Sequence, residues 1–419
     1  MALHCSRPVA VDPSSSWLVD ETGKRWFYLA DTAWELAHRL TPDEADFYLL
    51  ARAKQRFNAI QTVILAEFDG LNTPNRQGDR PLLDNDPAWP NEPYFEHLDW
   101  LVERMNELGL VAVLLPTWGD KLPESPWGVG PQVFTPANAL AFGRYLGNRY
   151  RNAAVIWMVG GDRPVKSDLQ LNIWRKLATG LRETSDHLIT FHPNGGQSSS
   201  QYVHEEPWLA FNTIQSGHHG WTYPLETKLT HDLALSPRKP VLNSEPCYED
   251  HPVMADGWWP FGGWFDESDV RNAAYRSVFS GACGHTYGCH DVWQMYDPAV
   301  NPPINNARTP WQNAVSLPGA NQMQHLRALI ESDIGWLPIA PTISPACPAT
   351  LRAISGRQVT YIAAEAIRTF IEPHLQKLGA MDEKKTARWF NPRTGEYQSA
   401  DSNRSHVPDA MLDWVLEIT

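Results

Sequence analysis

No apolar run in this chain approaches the roughly 20 residues needed to cross a bilayer, so no membrane partner is expected. The opening MALHCSRPVA lacks a charged leader with a long apolar stretch behind it. No signal peptide is therefore expected, and the protein reads as soluble and cytoplasmic. Positive charge is in short supply. The 35 lysines and arginines fall below the 48 acids, giving a net charge of −13, which argues against a nucleic-acid partner, whose phosphates call for a basic face. Cysteine is scarce too: Cys5, Cys247, Cys283, Cys289 and Cys347 are an odd set without a CxxC pair, which argues against a disulfide framework or a zinc site. No internal repeat and no low-complexity tract is present. No metal or other cofactor is expected, and the sequence leaves the oligomeric state open.

What the chain does have is apolar bulk and tryptophan. Hydrophobic residues make up 42% of its 419 positions, enough for a large core. The length suits a (β/α)8 barrel of about 250–350 residues followed by a small second domain. Nineteen tryptophans exceed what packing asks for, and indole faces suit the apolar faces of sugar rings.

Eight apolar segments alternate with helical ones. The strand segments are Trp26–Ala30, Asn58–Ala66, Leu110–Pro116, Ala154–Val159, Leu188–Phe191, Phe211–Gln215, Pro240–Ser244 and Ala282–Tyr287. Between them lie helix signals such as the Thr41-Pro42-Asp43-Glu44 capping box and the three- and four-residue spacing of Phe95, Leu98, Val102 and Met105. Gln312–Ile330 reads as a last helix. This is the pattern of an α/β (β/α)8 TIM barrel. From Pro338 short alternating segments take over, at Gln358–Ala364, Thr386–Phe390 and Trp414–Ile418, with a turn at Asn391–Gly395. The expected division is a barrel over 1–337 and a small β-sandwich over 338–419.

Two strands end on acids. VLNSEPCYED turns polar at Asn243 and delivers Glu245 just before Pro246, where the ladder must stop. AVIWMVGGD delivers Asp162 through two glycines. Carboxylates at the ends of different strands are a recurring device for breaking a glycosidic bond. In a barrel the strand ends Asp31, Glu67, Trp118, Asp162, His192, His218, Glu245 and Tyr287 should converge at one mouth.

The motifs LADTAWEL, RFNAIQ, LLPTWGD, IWMVGGD, NSEPCYE and HTYGCHDVW together resemble the apiosidase-like glycoside hydrolases. ARWFNPRTGEY resembles the β-sandwich module that follows this barrel. The resemblance covers nearly the whole chain. It implies a (β/α)8 enzyme acting on plant-type oligosaccharides, such as one removing apiose from rhamnogalacturonan-II side chains, with Asp162 and Glu245 as catalytic pair. Retaining barrel glycosidases carry the acid/base on strand four and the nucleophile on strand seven. This chain keeps the positions but shows Gly161-Asp162 in place of the common Asn-Glu pair. A carboxyl gap of about 5–5.5 Å means retention and roughly 6.5–9.5 Å inversion; the resemblance favours retention.

Glu245 is accordingly the expected nucleophile, with a loop-capping carboxylate as the bland alternative. Asp162 is the expected acid and then base, its bland alternative a helix N-cap or a partner for Arg163. Asp31, Trp34, Glu67, Trp118, His192, His218, Tyr287 and Trp293 are candidates for binding an oligosaccharide or glycoside substrate. His219, His285 and His290 carry weaker signals, and Asp69, Asp120 and Glu249 are reserve acids. Cys247 reads as a small buried filler. The loops Glu67–Pro93 and Trp118–Phe134 are expected to set the choice of sugar. Two rival readings stand beside this one. A metal-dependent amidohydrolase barrel would use His192, His218 and Asp291 as ligands, but Asp31-Thr32 occupies the end of strand one, where that class wants His-x-His. The other is a carbohydrate-binding protein without catalysis.

Overall fold

Eight runs of apolar and β-branched residues form parallel strands buried along their whole lengths, as a sheet covered on both faces requires. They are β1 (Tyr28–Thr32), β2 (Ala59–Leu65), β3 (Val111–Thr117), β4 (Val155–Gly160), β5 (Ile189–His192), β6 (Asn212–Gln215), β7 (Val241–Glu245) and β8 (Gly284–Tyr287). The computed structural model describes residues 6–14, 16–219, 223–254, 260–333, 335–339, 348–364, 386–400, 407–409 and 411–419. The strands are ordered β5-β4-β3-β2-β1-β8-β7-β6, and a helix follows each one. This is the TIM-like arrangement, and the ends β5 and β6 meet to close it.

The closure has an unusual construction. Among the described residues only Ile189 and Leu209 make a parallel bridge there. Beside it the Thr190 hydroxyl donates to the Phe211 carbonyl at 2.7 Å, and the Thr213 hydroxyl donates to the Phe191 carbonyl. Above these bonds the loop leaving β5 doubles back along β6. Gly196 N–H donates to Gln215 O at 2.9 Å, Gln215 N–H to Gln197 O at 3.1 Å, and Ser199 N–H to Thr213 O at 2.9 Å. The backbone groups of β6 thus find partners that a neighbouring strand would otherwise supply.

Helix boundaries follow local chemistry. Pro42–Lys54 starts in the expected capping box, with Thr41 and Glu44 bonding reciprocally. The single helix expected over Gln312–Ile330 is instead two, Trp311–Ala314 and Pro318–Glu331. Proline has no N–H to continue a helix and opens the second one at its first position.

Alternation along β1 and β8 decides where two candidate residues go. Asp31 pairs in register with Tyr287, and both point outward at the helix layer. Thr286, the preceding residue of β8, bonds Gln61 instead. Asp31 is fully buried, accepting from Arg52 Nε and from the Tyr48 hydroxyl at 2.5 Å each. Arg52 also donates through Nη1 to Gln55 Oε1 at 2.7 Å and Val315 O at 2.8 Å. The Tyr287 hydroxyl donates to Glu249 at 2.5 Å, and Glu249 also accepts from Gly319 N–H at 3.0 Å in the first turn of the last helix. Asp31 and Tyr287 were expected in the cleft and belong instead to the barrel's wall, because side chains in a strand change face at every residue. Removing one member of a buried ion pair leaves the other charged and unpaired, at a cost of about 3–5 kcal/mol. Asp31→Ala should therefore lower the melting temperature by several degrees; an unchanged melting curve would show that the pair holds nothing.

Beyond the barrel, six antiparallel strands form one sheet among the described residues: Leu337–Pro338, Ala349–Arg352, Gln358–Ile362, Trp414–Ile418, Ala387–Phe390 and Tyr397–Ser399, in that spatial order. The expected turn at Asn391–Gly395 joins two of them through a Gly395 N–H to Asn391 O bond of 2.8 Å. The sheet shares its core with the barrel. Tyr275 of helix Glu267–Phe279 stacks on Tyr361 at 4.9 Å, and buried Arg271 of that helix grips Asp413 through bonds of 2.8 and 2.7 Å. No helix among the described residues is long and apolar enough to cross a membrane.

Candidate active site

Two carboxylates reach one cleft by different local devices. At the end of β4 the chain passes through Gly160 and Gly161, with φ of 96° and 142°, and Asp162 itself is left-handed at φ 45°. The glycines are required: a Cβ on Gly160 would lie 2.3 Å from His192 O, and one on Gly161 2.8 Å from Gly119 N. Gly161 is gripped on both sides, donating to His192 O at 3.1 Å and accepting from Gly119 N–H at 3.0 Å. The turn thereby fixes Asp162 at the mouth. Its Oδ1 accepts from Gly195 N–H at 3.1 Å, and Arg163 Nη1 approaches Oδ2 at 3.3 Å.

β7 uses a bulge. Its pairing with β6 slips between Asn243 and Glu245, and Asn243 faces outward to Ser216 and Ser277. An uninterrupted strand would aim Glu245 the same way as Asn243. The extra residue re-aims it over the barrel, a common use of bulges beside active sites. The carbonyl of that extra residue, Ser244, accepts from Gln61 Nε2 at 3.0 Å across the barrel.

Glu245 lies between two imidazoles. His192 Nε2 is 2.9 Å from Oε2 and His218 Nε2 is 3.6 Å from Oε1. The 2.9 Å contact is an ion pair and not an aligned hydrogen bond, since neither atom has a hydrogen-bond partner. His192 Nδ1 faces the Pro193 carbonyl at 2.9 Å and must carry a proton there. A neutral ring would then turn a lone pair on the carboxylate, so His192 is an imidazolium when Glu245 is ionised. Burial pulls the His192 pKa down, but contact with Glu245 outweighs it and leaves the value raised. For Glu245, burial acts upward and is overcome by His192 and His218, which hold the carboxyl at about 2. Asp162 goes the other way: burial and the negative charge of Glu245 push it to about 6, against Arg163 and His192. Between about pH 2 and pH 6 the two acids therefore hold opposite protonation states.

The cleft, about 640 Å³, is lined by Asp162 and Glu245 with Trp34, Glu67, Trp118, His218 and Trp293, all expected there. Trp34 and Trp118 pack 5.2 Å apart, each against His192. His192 itself is fully buried and touches Glu245 from behind, so its place is beside the carboxylate and not on the cleft wall. Sequence reasoning missed Trp127, Asn194, Gln215, Tyr248, His251 and Asn305, and placed Arg163 only as a neighbour of Asp162. Tyr248 and His251 follow Glu245 closely in the chain, a signal that was available. His251 stacks on His218 at 3.9 Å, and Tyr248 accepts from Trp34 Nε1 at 3.2 Å.

The reserve acids are occupied elsewhere. Asp120 holds Lys121 Nζ at 2.7 Å and Gly130 N–H at 3.0 Å, and Asp69 accepts from Asn72 and Thr73. Asp291 accepts from Arg308 and Thr309 N–H, so the ligand set His192, His218 and Asp291 does not assemble. Among the described residues no group of three or more His, Cys, Asp or Glu side chains is placed to hold a metal ion. Cys247 is buried, which raises its pKa; Cys5 and Cys347 lie outside the described residues.

Glu67 is a third acid in the cleft. Arg163 Nη2 bonds it at 2.5 Å, while burial, reinforced by the charges of Asp162 and Asp120, raises it to about 7 against the pull of Arg163. At the pH near 6 where Asp162 titrates, Glu67 is mostly protonated and adds little charge to the cleft. Glu67→Gln is therefore expected to leave the alkaline limb of the pH–activity profile in place; a limb displaced to lower pH would show that Glu67 is ionised there.

Residues 13–336 match the family described as apiosidase-like, catalytic domain. A solved structure named as a glycoside hydrolase is 25% identical, covering 99% of this chain and 97% of its own, with a TM-score of 0.80. A glycoside hydrolase family 5 structure from Bacteroides vulgatus is likewise 25% identical, covering 98% of this chain and 92% of its own at a TM-score of 0.83. No curated protein matches the chain.

Proposed function

For a chain that belongs to the apiosidase-like family of glycoside hydrolases, we propose cleavage of a terminal glycosidic bond in plant-type oligosaccharides, releasing apiose or a related furanose with retention. The observation that carries this reading is the opposite polarisation of the two acids, Glu245 ionised between imidazoles and Asp162 beside it holding its proton up to about pH 6. Divergent pKa values in one cleft assign acid and nucleophile.

In the first step a Glu245 oxygen attacks the anomeric carbon. The bond to the leaving oxygen breaks as that oxygen takes the Asp162 proton, giving a glycosyl-enzyme and a free alcohol. In the second, Asp162, now a carboxylate, removes a proton from water. The water oxygen bonds the anomeric carbon and Glu245 departs as carboxylate, restoring both groups. The imidazolium of His192 keeps Glu245 in its charged form and makes it a better leaving group in this step.

The test is a product profile against defined pectic and arabinofuranosyl oligosaccharides, with NMR of the anomer first released. The starting configuration supports the double displacement and the opposite one overturns it. Binding without release points to the non-catalytic reading.

A further inference from the structure

We infer that Trp127 is the platform on which the leaving group rests, so that the natural leaving group is itself a sugar ring. This rests on the glycosidase reading of Asp162 and Glu245. The general acid must lie beside the leaving oxygen, so whatever borders Asp162 on the side away from Glu245 borders the departing residue. Trp127 is tied to the acid's part of the cleft through one side chain. Arg163, next to the acid, bonds the Trp127 carbonyl through Nε at 3.0 Å, the Asp162 carbonyl through Nη1 at 2.8 Å, and Glu67 through Nη2. Its guanidinium sits 4.9 Å from the centre of the Trp127 ring. The aromatic residues near Glu245 form a separate group, Trp34, Trp118 and Tyr248, which suits the sugar that becomes attached to the enzyme.

Trp127 also differs from those residues in exposure. Trp34, Trp118 and Tyr248 are almost completely buried, whereas Trp127 lines the same cleft with 42% of its surface open. Its loop is fastened from beneath, since buried Asp120 takes Gly130 N–H at 3.0 Å and a Cβ on Gly128 would lie 2.2 Å from the Asp120 Cβ. A large apolar ring held open to water at a cleft rim, on a pinned loop, makes a stacking surface for the apolar face of a sugar. Glu67, beside it, supplies an acceptor for that sugar's hydroxyls.

Two substrates isolate the effect: the oligosaccharide from which the parent enzyme releases its sugar, and the methyl glycoside of the same sugar. Sugar hydroxyl and methanol both need the Asp162 proton, but methanol has no ring to stack. Trp127→Ala should lower kcat/KM for the oligosaccharide about tenfold or more and leave the methyl glycoside within about twofold. Trp127→Phe, which keeps a flat ring, should recover most of the loss. Equal loss on both substrates would mean that Trp127 acts through Asp162, and no loss on either would mean that nothing rests on the ring; both overturn the platform. A correctly folded parent that releases no sugar from any oligosaccharide overturns the glycosidase reading itself, and the platform falls with it.

Discussion

Glu245→Gln is expected to lower turnover by at least about 10,000-fold, the scale of losing a covalent nucleophile. The amide matches the carboxyl in shape and keeps contact with His218, so the melting temperature should change little while activity disappears. The same change removes the reason for His192 to be charged. With no anion 2.9 Å from Nε2, burial is opposed only by Asp162 and the Pro193 carbonyl, and the His192 pKa should fall. Titration of the histidine ring signals by NMR would read this directly. A variant retaining a tenth of parental turnover would remove Glu245 from the nucleophile's place, and a His192 pKa that does not fall would show that the ion pair exerts no hold.

The second large effect belongs to Asp162 and depends on the leaving group. Asp162→Asn removes the proton donor, so sugar leaving groups should suffer by roughly 100- to 10,000-fold. A dinitrophenyl glycoside, whose leaving group departs without protonation, should suffer far less in the first step. In the parent enzyme activity should fall as pH rises through about 6, where Asp162 loses its proton. Toward acid the limit from Glu245 lies near 2, so the profile should favour mildly acidic conditions. In Asp162→Asn the limb near pH 6 should vanish. Equal losses on both leaving groups, or a limb that persists, would assign the acid's task to another group.

Much of this arrangement was legible in the residues. Continuous apolar runs of four to eight with polar ends gave away the eight strands, because a strand covered on both faces has no alternation to hide. The acids at two strand ends stood out for the same reason. Facing was harder. Asp31 and Glu245 both come at strand ends in the sequence, yet one faces the helices and the other the cleft, and the difference lies in a bulge after Asn243. One-residue slips in pairing leave no mark in composition. Arg163 and Trp127 were hidden by distance: 36 residues separate them, and only the folded loop shows that one carries the other.

The closing of the barrel has a consequence for evolution and engineering. The chain between Pro193 and Ser199 is at once the clasp that seals the cylinder along β6 and the bracket from which Gly195 steadies Asp162, the proposed proton donor. Length changes here would open the enclosure and unseat Asp162 together. The longer excursion after β3 shares the task of steadying Asp162 at its start, where Gly119 N–H holds Gly161, and beyond that point it touches neither fastening.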